Sequence, residues 1–175
     1  TIACDPGDQV LVPEPFYPNY LGYARLTNVE IVPITTCRED GFHLPPRQEI
    51  EAHIGPRTKA ILFSHPGNPT GVVYTKAELE MVVDIALRHD LFIISDEVYR
   101  EFVYEGGHTS LLTFSEVRDR AILVDSISKR LSACGARIGA FVSRNKDVMA
   151  AANKCATIRL SAPTFEQLGL VAFMA

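Results

Sequence analysis

The stretch KAILFSHPGNPTGVVYTKAELEMVVDIALRHDLFIIS, residues 59–95, decides the fold. Its two ends, Lys59–Ser64 and Leu91–Ser95, are short runs in which apolar side chains fall on both alternating faces, the pattern of a strand covered on both sides of a parallel sheet. Between them Leu79, Val82, Val83 and Ala86 recur at helical spacing, and Thr75 followed by Glu78 forms a capping box, so Thr75–His89 reads as a helix. Strand, helix, strand is a βαβ unit. Working outward, Gln9–Val12 and Ala121–Asp125 repeat the same apolar pattern, Val29–Pro33 is a fifth strand candidate, and Thr35–Pro46 is a charged loop with a Pro-Pro pair. Ile138–Ser143 alternates as a further strand and Asn145–Ile158 reads as a helix. The expected architecture is α/β, a doubly wound, mostly parallel sheet with helices on both faces and right-handed crossovers.

The chain has 175 residues, 47% hydrophobic and 22% charged, which excludes a disordered or collagen-like polymer and is long enough for one sizeable core. A formal net charge of −4 with no basic cluster argues against nucleic acid or an anionic membrane as the main partner. The apolar runs are far shorter than the roughly 20 residues that span a bilayer. Cys4, Cys37, Cys134 and Cys155 form no C-x-x-C pair, and their irregular spacing reads as reduced thiols of a cytoplasmic protein. The sequence starts on Thr1 rather than Met, and Phe165, Leu168, Val171, Ala172 and Ala175 keep helical spacing to the last residue, so it reads as a piece of a longer polypeptide, incomplete at both ends.

In open α/β sheets ligands bind beyond the carboxyl ends of the strands. The segments there are His65–Gly71, Ser95–Tyr99 and Asp125–Lys129, which present an amide, a carboxylate with a phenol, and an amine with hydroxyls. Each alone has an ordinary explanation: Asn68 as a turn former, Asp96 as a cap, Lys129 as a solvated charge. Together they supply an amine for a carbonyl, an acid for a ring nitrogen and donors for a ring oxygen, the needs of a pyridine aldehyde. No G-x-G-x-x-G, G-x-S-x-G or zinc-type His spacing is present, which disfavours a nicotinamide dehydrogenase, a serine hydrolase and a zinc site.

The ordered motifs DQVLVPEPFYPNY (residues 8–20), HPGNPTG (65–71), SDEVY (95–99) and SISK (126–129), followed by Arg137, resemble the class I/II aminotransferases of the fold-type I, pyridoxal-phosphate-dependent family, of aspartate-aminotransferase type. The resemblance covers nearly the whole chain. It implies that residues 1–175 are a partial cofactor-binding large domain whose N-terminal segment and C-terminal small domain lie outside this chain. It further implies an enzyme that moves an amino group between an amino acid, such as aspartate or another small one, and a 2-oxo acid, through an internal aldimine on Lys129. Attack and proton transfer near neutrality require the site to lower a lysine's ordinary basicity. Asp96 resembles the acid that keeps the pyridine nitrogen protonated. Tyr99 and Asn68 resemble the pair that hydrogen-bonds the cofactor's phenolic oxygen, and Tyr17 the ring stacked on the pyridine face. Ser126, Ser128 and Arg137 resemble phosphate ligands, and a homodimer follows from the family alone.

Glu14-Pro15 and Asn68-Pro69 occupy positions where the family commonly has cis peptides. His65 reads as a hydrogen-bonded loop histidine rather than a substrate contact, and nothing marks Cys134 as reactive. Two departures stand out: Ala136 where many members have Trp, and Arg130 where many have a small residue or Thr. Two alternatives share the site. One is a lyase or cyclase of the same fold, and the other a cofactor-binding sensor domain of a transcription regulator.

Overall fold

The computed structural model describes residues 2–174, so Thr1, and Ala175 at the end of the last apolar spacing, lie outside the described residues. Six strands form one sheet: β1 (Gln9–Glu14), β2 (Glu30–Thr35), β3 (Thr58–Ser64), β4 (Phe92–Asp96), β5 (Ala121–Ser126) and β6 (Gly139–Ser143), in the order β2-β1-β3-β4-β5-β6. All neighbours pair in parallel except β6, which runs antiparallel to β5 with Gly139 opposite Ser126. The helices are α1 (Asn19–Leu26), α2 (Arg47–Glu51), α3 (Lys76–Arg88), α4 (Ile127–Arg130), α5 (Lys146–Thr157) and α6 (Thr164–Met174). Each strand anticipated from apolar pattern is present, with ends shifted by one or two residues, and Asn145 caps α5 through bonds from the Asp147 and Val148 amides.

One face of the sheet packs Leu11, Ile61, Phe63 and Ile93 against Leu79, Val82, Val83 and Ala86 of α3, with Leu111, Phe114 and Val117 completing the layer. The other face places Val10, Val12 and Ala60 against Phe16, Tyr20, Leu62 and Ile94. β3 is buried along nearly its whole length for this reason, as its run of apolar residues requires. The capping box is complete: the Glu78 amide donates to the Thr75 hydroxyl at 3.2 Å and the Thr75 amide to the Glu78 carboxylate at 2.7 Å. A missing cap of this kind ordinarily costs about 1 kcal/mol.

α1 carries no buried residue, and so has no apolar stripe by which its sequence would announce a helix. β6 sits so close to β5 that a Cβ on Gly139 would lie 2.8 Å from the Asp125 carbonyl oxygen, which requires glycine there. Phe165, Leu168, Val171 and Phe173 of α6 are exposed. No helix among the described residues is long and apolar enough to cross a membrane.

Candidate active site

The carboxyl ends of β3, β4 and β5 and the start of α1 surround one cleft of about 420 Å³. Every residue selected from the sequence lines it: Tyr17, Asn68, Asp96 and Tyr99 on one side, Ser126, Ser128, Lys129 and Arg137 on the other. Strand ends place them. Asp96 is the last residue of β4, Ser126 ends β5 and caps α4 by accepting the Ser128 amide at 3.1 Å, and Lys129 rides on that single turn of helix.

Asp96 is the electrostatic centre of the cleft. Burial pushes its carboxyl above the ordinary carboxylate range, and the nearby Asp125 charge adds to the rise. Opposing them, the Tyr20 hydroxyl donates to Asp96 Oδ2 at 2.7 Å and the Val98 amide to Oδ1 at 3.3 Å. Among the described residues no cation is paired with Asp96, so a partly buried carboxylate faces the cleft with its charge uncompensated. A cationic ring nitrogen would supply the missing partner.

Tyr20 was not selected from the sequence. In FYPNY two tyrosines compete for one role, and only the fold brings the second against an aspartate 76 residues away. Its phenol is held neutral, pushed above its usual range by burial and then by the Asp96 charge, so it remains a donor. Tyr20→Phe keeps the ring and deletes that donor. We expect the unliganded protein to lose about 1.5–3 kcal/mol, the value of a bond to a charged group, at a pH where Asp96 is ionised. The loss should shrink as pH falls through the raised pKa of Asp96, because the neutral acid needs the donor less. Denaturant unfolding at the two pH values measures it, and a loss equal at both removes Tyr20 from the role.

Tyr17 meets Tyr20 edge to face at 5.6 Å, with its ring on the cleft. The Lys129 ammonium lies 5.7 Å from the centre of the Tyr99 ring and forms no salt bridge among the described residues, so it is held over an aromatic face rather than consumed by a carboxylate. Arg137 gives one nitrogen to the Cys134 carbonyl at 2.6 Å, from a left-handed backbone with φ 56°. The Ser126 hydroxyl donates to the Ile138 carbonyl at 2.9 Å and lies 2.6 Å from the Ser128 hydroxyl. An anion in this corner therefore meets Ser128 and the free edge of Arg137 more readily than Ser126, whose proton is already placed.

His65 does not face the cleft. It is fully buried, its Nδ1 accepts the Tyr74 amide at 3.2 Å, and its ring stacks on His108 at 4.6 Å. Burial and then the neighbouring His108 push its pKa down to about 4, so it is a neutral structural histidine. Strand alternation turns Glu97 away from Asp96 into the same buried layer, where one of its oxygens accepts from Ser95, Ser110 and the Leu111 amide at 3.1, 3.1 and 2.9 Å. These bonds tie the loop before β5 to the strand end that carries Asp96. Glu14-Pro15 and Asn68-Pro69 are both cis, as is His65-Pro66. All four cysteines are free, and Cys134 lines the cleft.

Comparison with known proteins places this cleft. Residues 1–175 match the family described as aminotransferase class I and II. The aspartate aminotransferase of Geobacillus stearothermophilus is 33% identical over 165 residues, 93% of this chain and 42% of that protein. The aspartate aminotransferase of Bacillus subtilis is 32% identical over 174 residues, 98% of this chain and 44% of that protein. Among solved structures, the alanine aminotransferase of Pyrococcus furiosus superimposes with a TM-score of 0.89 at 36% identity, covering 99% of this chain and 45% of that one. The chain thus spans less than half the length of these relatives. The family match along the whole chain, the shared fold and the four motifs gathered on one cleft lead to one assignment: the chain belongs to the class I and II aminotransferase family.

Proposed function

We propose that this chain is the central part of the cofactor-binding domain of a pyridoxal-phosphate-dependent aminotransferase, one that moves an amino group between an amino acid and a 2-oxo acid. The observation that carries the reading is the partly buried Asp96 carboxylate, without a cation partner, on the same cleft as the Lys129 amine. Members of this family use pyridoxal phosphate, and the residues present fit it. Asp96 would hold the pyridine nitrogen, Tyr99 and Asn68 the phenolic oxygen, Tyr17 the ring face, and Ser128, Ser126 and Arg137 the phosphate.

When bound, the cofactor supplies an electrophilic carbonyl carbon and an electron-withdrawing ring. Asp96 keeps a proton at the ring nitrogen, because its carboxylate is stabilised more by that cation than by its two neutral donors. Lys129 Nζ carries the proton removed from the substrate Cα, and its position over the Tyr99 ring keeps the amine on the cleft side of α4. Arg137 and Ser128 would hold the phosphate end and so orient the group in the cleft that Lys129 also lines.

The coverage of the relatives supports reading the chain as part of a longer large domain, completed by an N-terminal segment and a C-terminal small domain; the family resemblance adds a cytoplasmic homodimer to the proposal. Aspartate is the donor named for several relatives, and others are named for alanine, aromatic amino acids or arginine, so a small amino acid such as aspartate is the first donor to assay. The test is mass balance in the full-length protein. An amino donor with 2-oxoglutarate should yield glutamate in equal amount to the donor's 2-oxo acid, whereas release of ammonia with pyruvate would overturn the reading in favour of a lyase.

A further inference from the structure

The residue after Lys129 is Arg130, one of the two departures from the resembling motif, and the structure gives it a partner. Arg130 Nη2 lies 2.9 Å from Oδ2 of Asp125, whose side chain is only 7% exposed and lines the cleft. Arg100 reaches the same oxygen from farther, at 3.5 Å, and both guanidiniums also approach Glu101, Arg100 at 3.4 Å and Arg130 at 3.9 Å. Arg130 is also the less exposed of the two guanidiniums, 25% against 36%, so it carries the larger share of the compensation. The other Asp125 oxygen accepts the Ser126 amide at 2.7 Å.

Asp96 and Asp125 are the two acids that line the cleft, at the ends of adjacent strands, and Asp96 has no cation of its own among the described residues. A phosphate monoester is itself anionic, so a second uncompensated carboxylate in the cleft would repel it and would also compete with Asp96 for the ring's positive charge. We infer that Arg130 is a positioning residue that neutralises Asp125 and ties the turn bearing Lys129 to the end of β5, leaving Asp96 as the acid open to the cofactor and setting the cleft's affinity for its phosphate. The inference rests on the pyridoxal-phosphate reading above.

The experiment titrates cofactor-stripped full-length protein with pyridoxal phosphate and, separately, with pyridoxal, following the absorbance of the bound cofactor. Arg130→Ala should weaken pyridoxal phosphate binding about tenfold and pyridoxal binding less, because the phosphate carries most of the negative charge. Arg130→Lys should keep most of the affinity. The double variant Arg130→Ala/Asp125→Asn removes the exposed charge together with its partner and should bind within about threefold of the parent. A purely structural role would leave the double variant as weak as the single one or weaker. Parent-like binding by Arg130→Ala overturns the inference, and so does a double variant that binds tenfold worse than the parent, whether or not the single variant folds. A parent that binds no pyridoxal phosphate overturns the cofactor reading and the inference with it, while the variant comparisons in a parent that binds bear on the inference alone.

Discussion

Lys129→Ala is expected to lower turnover of the full-length protein by about 10⁴-fold or more, because under the proposed function it removes both the amine that engages the cofactor's carbonyl and the base that carries the Cα proton. Lys129 is the one lysine on the cleft, held on the first turn after β5 and free of any carboxylate among the described residues. No neighbour replaces it: a guanidinium has no lone pair to accept the proton, and a phenol is a poor base. Lys129→Arg is therefore expected to be as inactive as the alanine variant although it preserves the charge. The same experiment has a chemical arm. Borohydride treatment of the parent should leave the cofactor attached to the peptide containing Lys129, and a label on any other lysine, such as Lys59, Lys146 or Lys154, ends the assignment.

How far the site could be read from the sequence follows from what each residue's role depends on. The parallel strands and α3 were legible because burial on both sheet faces, or on one helix face, writes itself into the spacing of apolar residues such as Ile61, Phe63, Leu79 and Val83. The cleft was legible because a parallel sheet delivers its strand ends to one edge, so motifs far apart in sequence had to converge there. Partnerships were less so. Nothing in FYPNY distinguishes the ring proposed to cover the cofactor from the ring that donates to Asp96, and α1, which carries Tyr20, has no buried residue. The adjacent acids of SDEVY look alike in sequence, yet alternation sends Asp96 to the cleft and Glu97 to a buried layer. The Ser126 hydroxyl, named from the sequence as a phosphate ligand, donates to the Ile138 carbonyl in the unliganded chain, a partnership that local pattern does not reveal. Arg130 stands out in the sequence as a departure from the resembling motif, whereas its pairing with Asp125 is visible only in the fold.

Asp96 gives the second large effect, and it has opposite signs with and without cofactor. In the unliganded protein burial raises the folded-state pKa of Asp96 above its unfolded value, so this group favours folding at low pH and that contribution is lost as pH rises through the raised pKa. At about pH 8 the ionised carboxylate is a cost to the unliganded fold, since among the described residues its compensation is the Tyr20 hydroxyl and the Val98 amide. Asp96→Asn keeps the shape and can still accept from Tyr20 while removing the charge, so the unliganded variant should be at least as stable as the parent at about pH 8 in denaturant unfolding. Cofactor binding should move the other way. Removing one partner of a desolvated ion pair costs about 3–5 kcal/mol, roughly 10²–10³ in affinity, and the partial exposure of this cleft places the expected loss toward the lower end. Turnover should fall further than affinity, because a ring nitrogen without its acid partner withdraws electrons less strongly from the substrate carbon. A variant that binds cofactor as tightly as the parent would remove Asp96 from the ring nitrogen. A variant that is less stable when unliganded would instead show that the carboxylate is paired in the fold, and the charge balance on which the site's reading stands would fail.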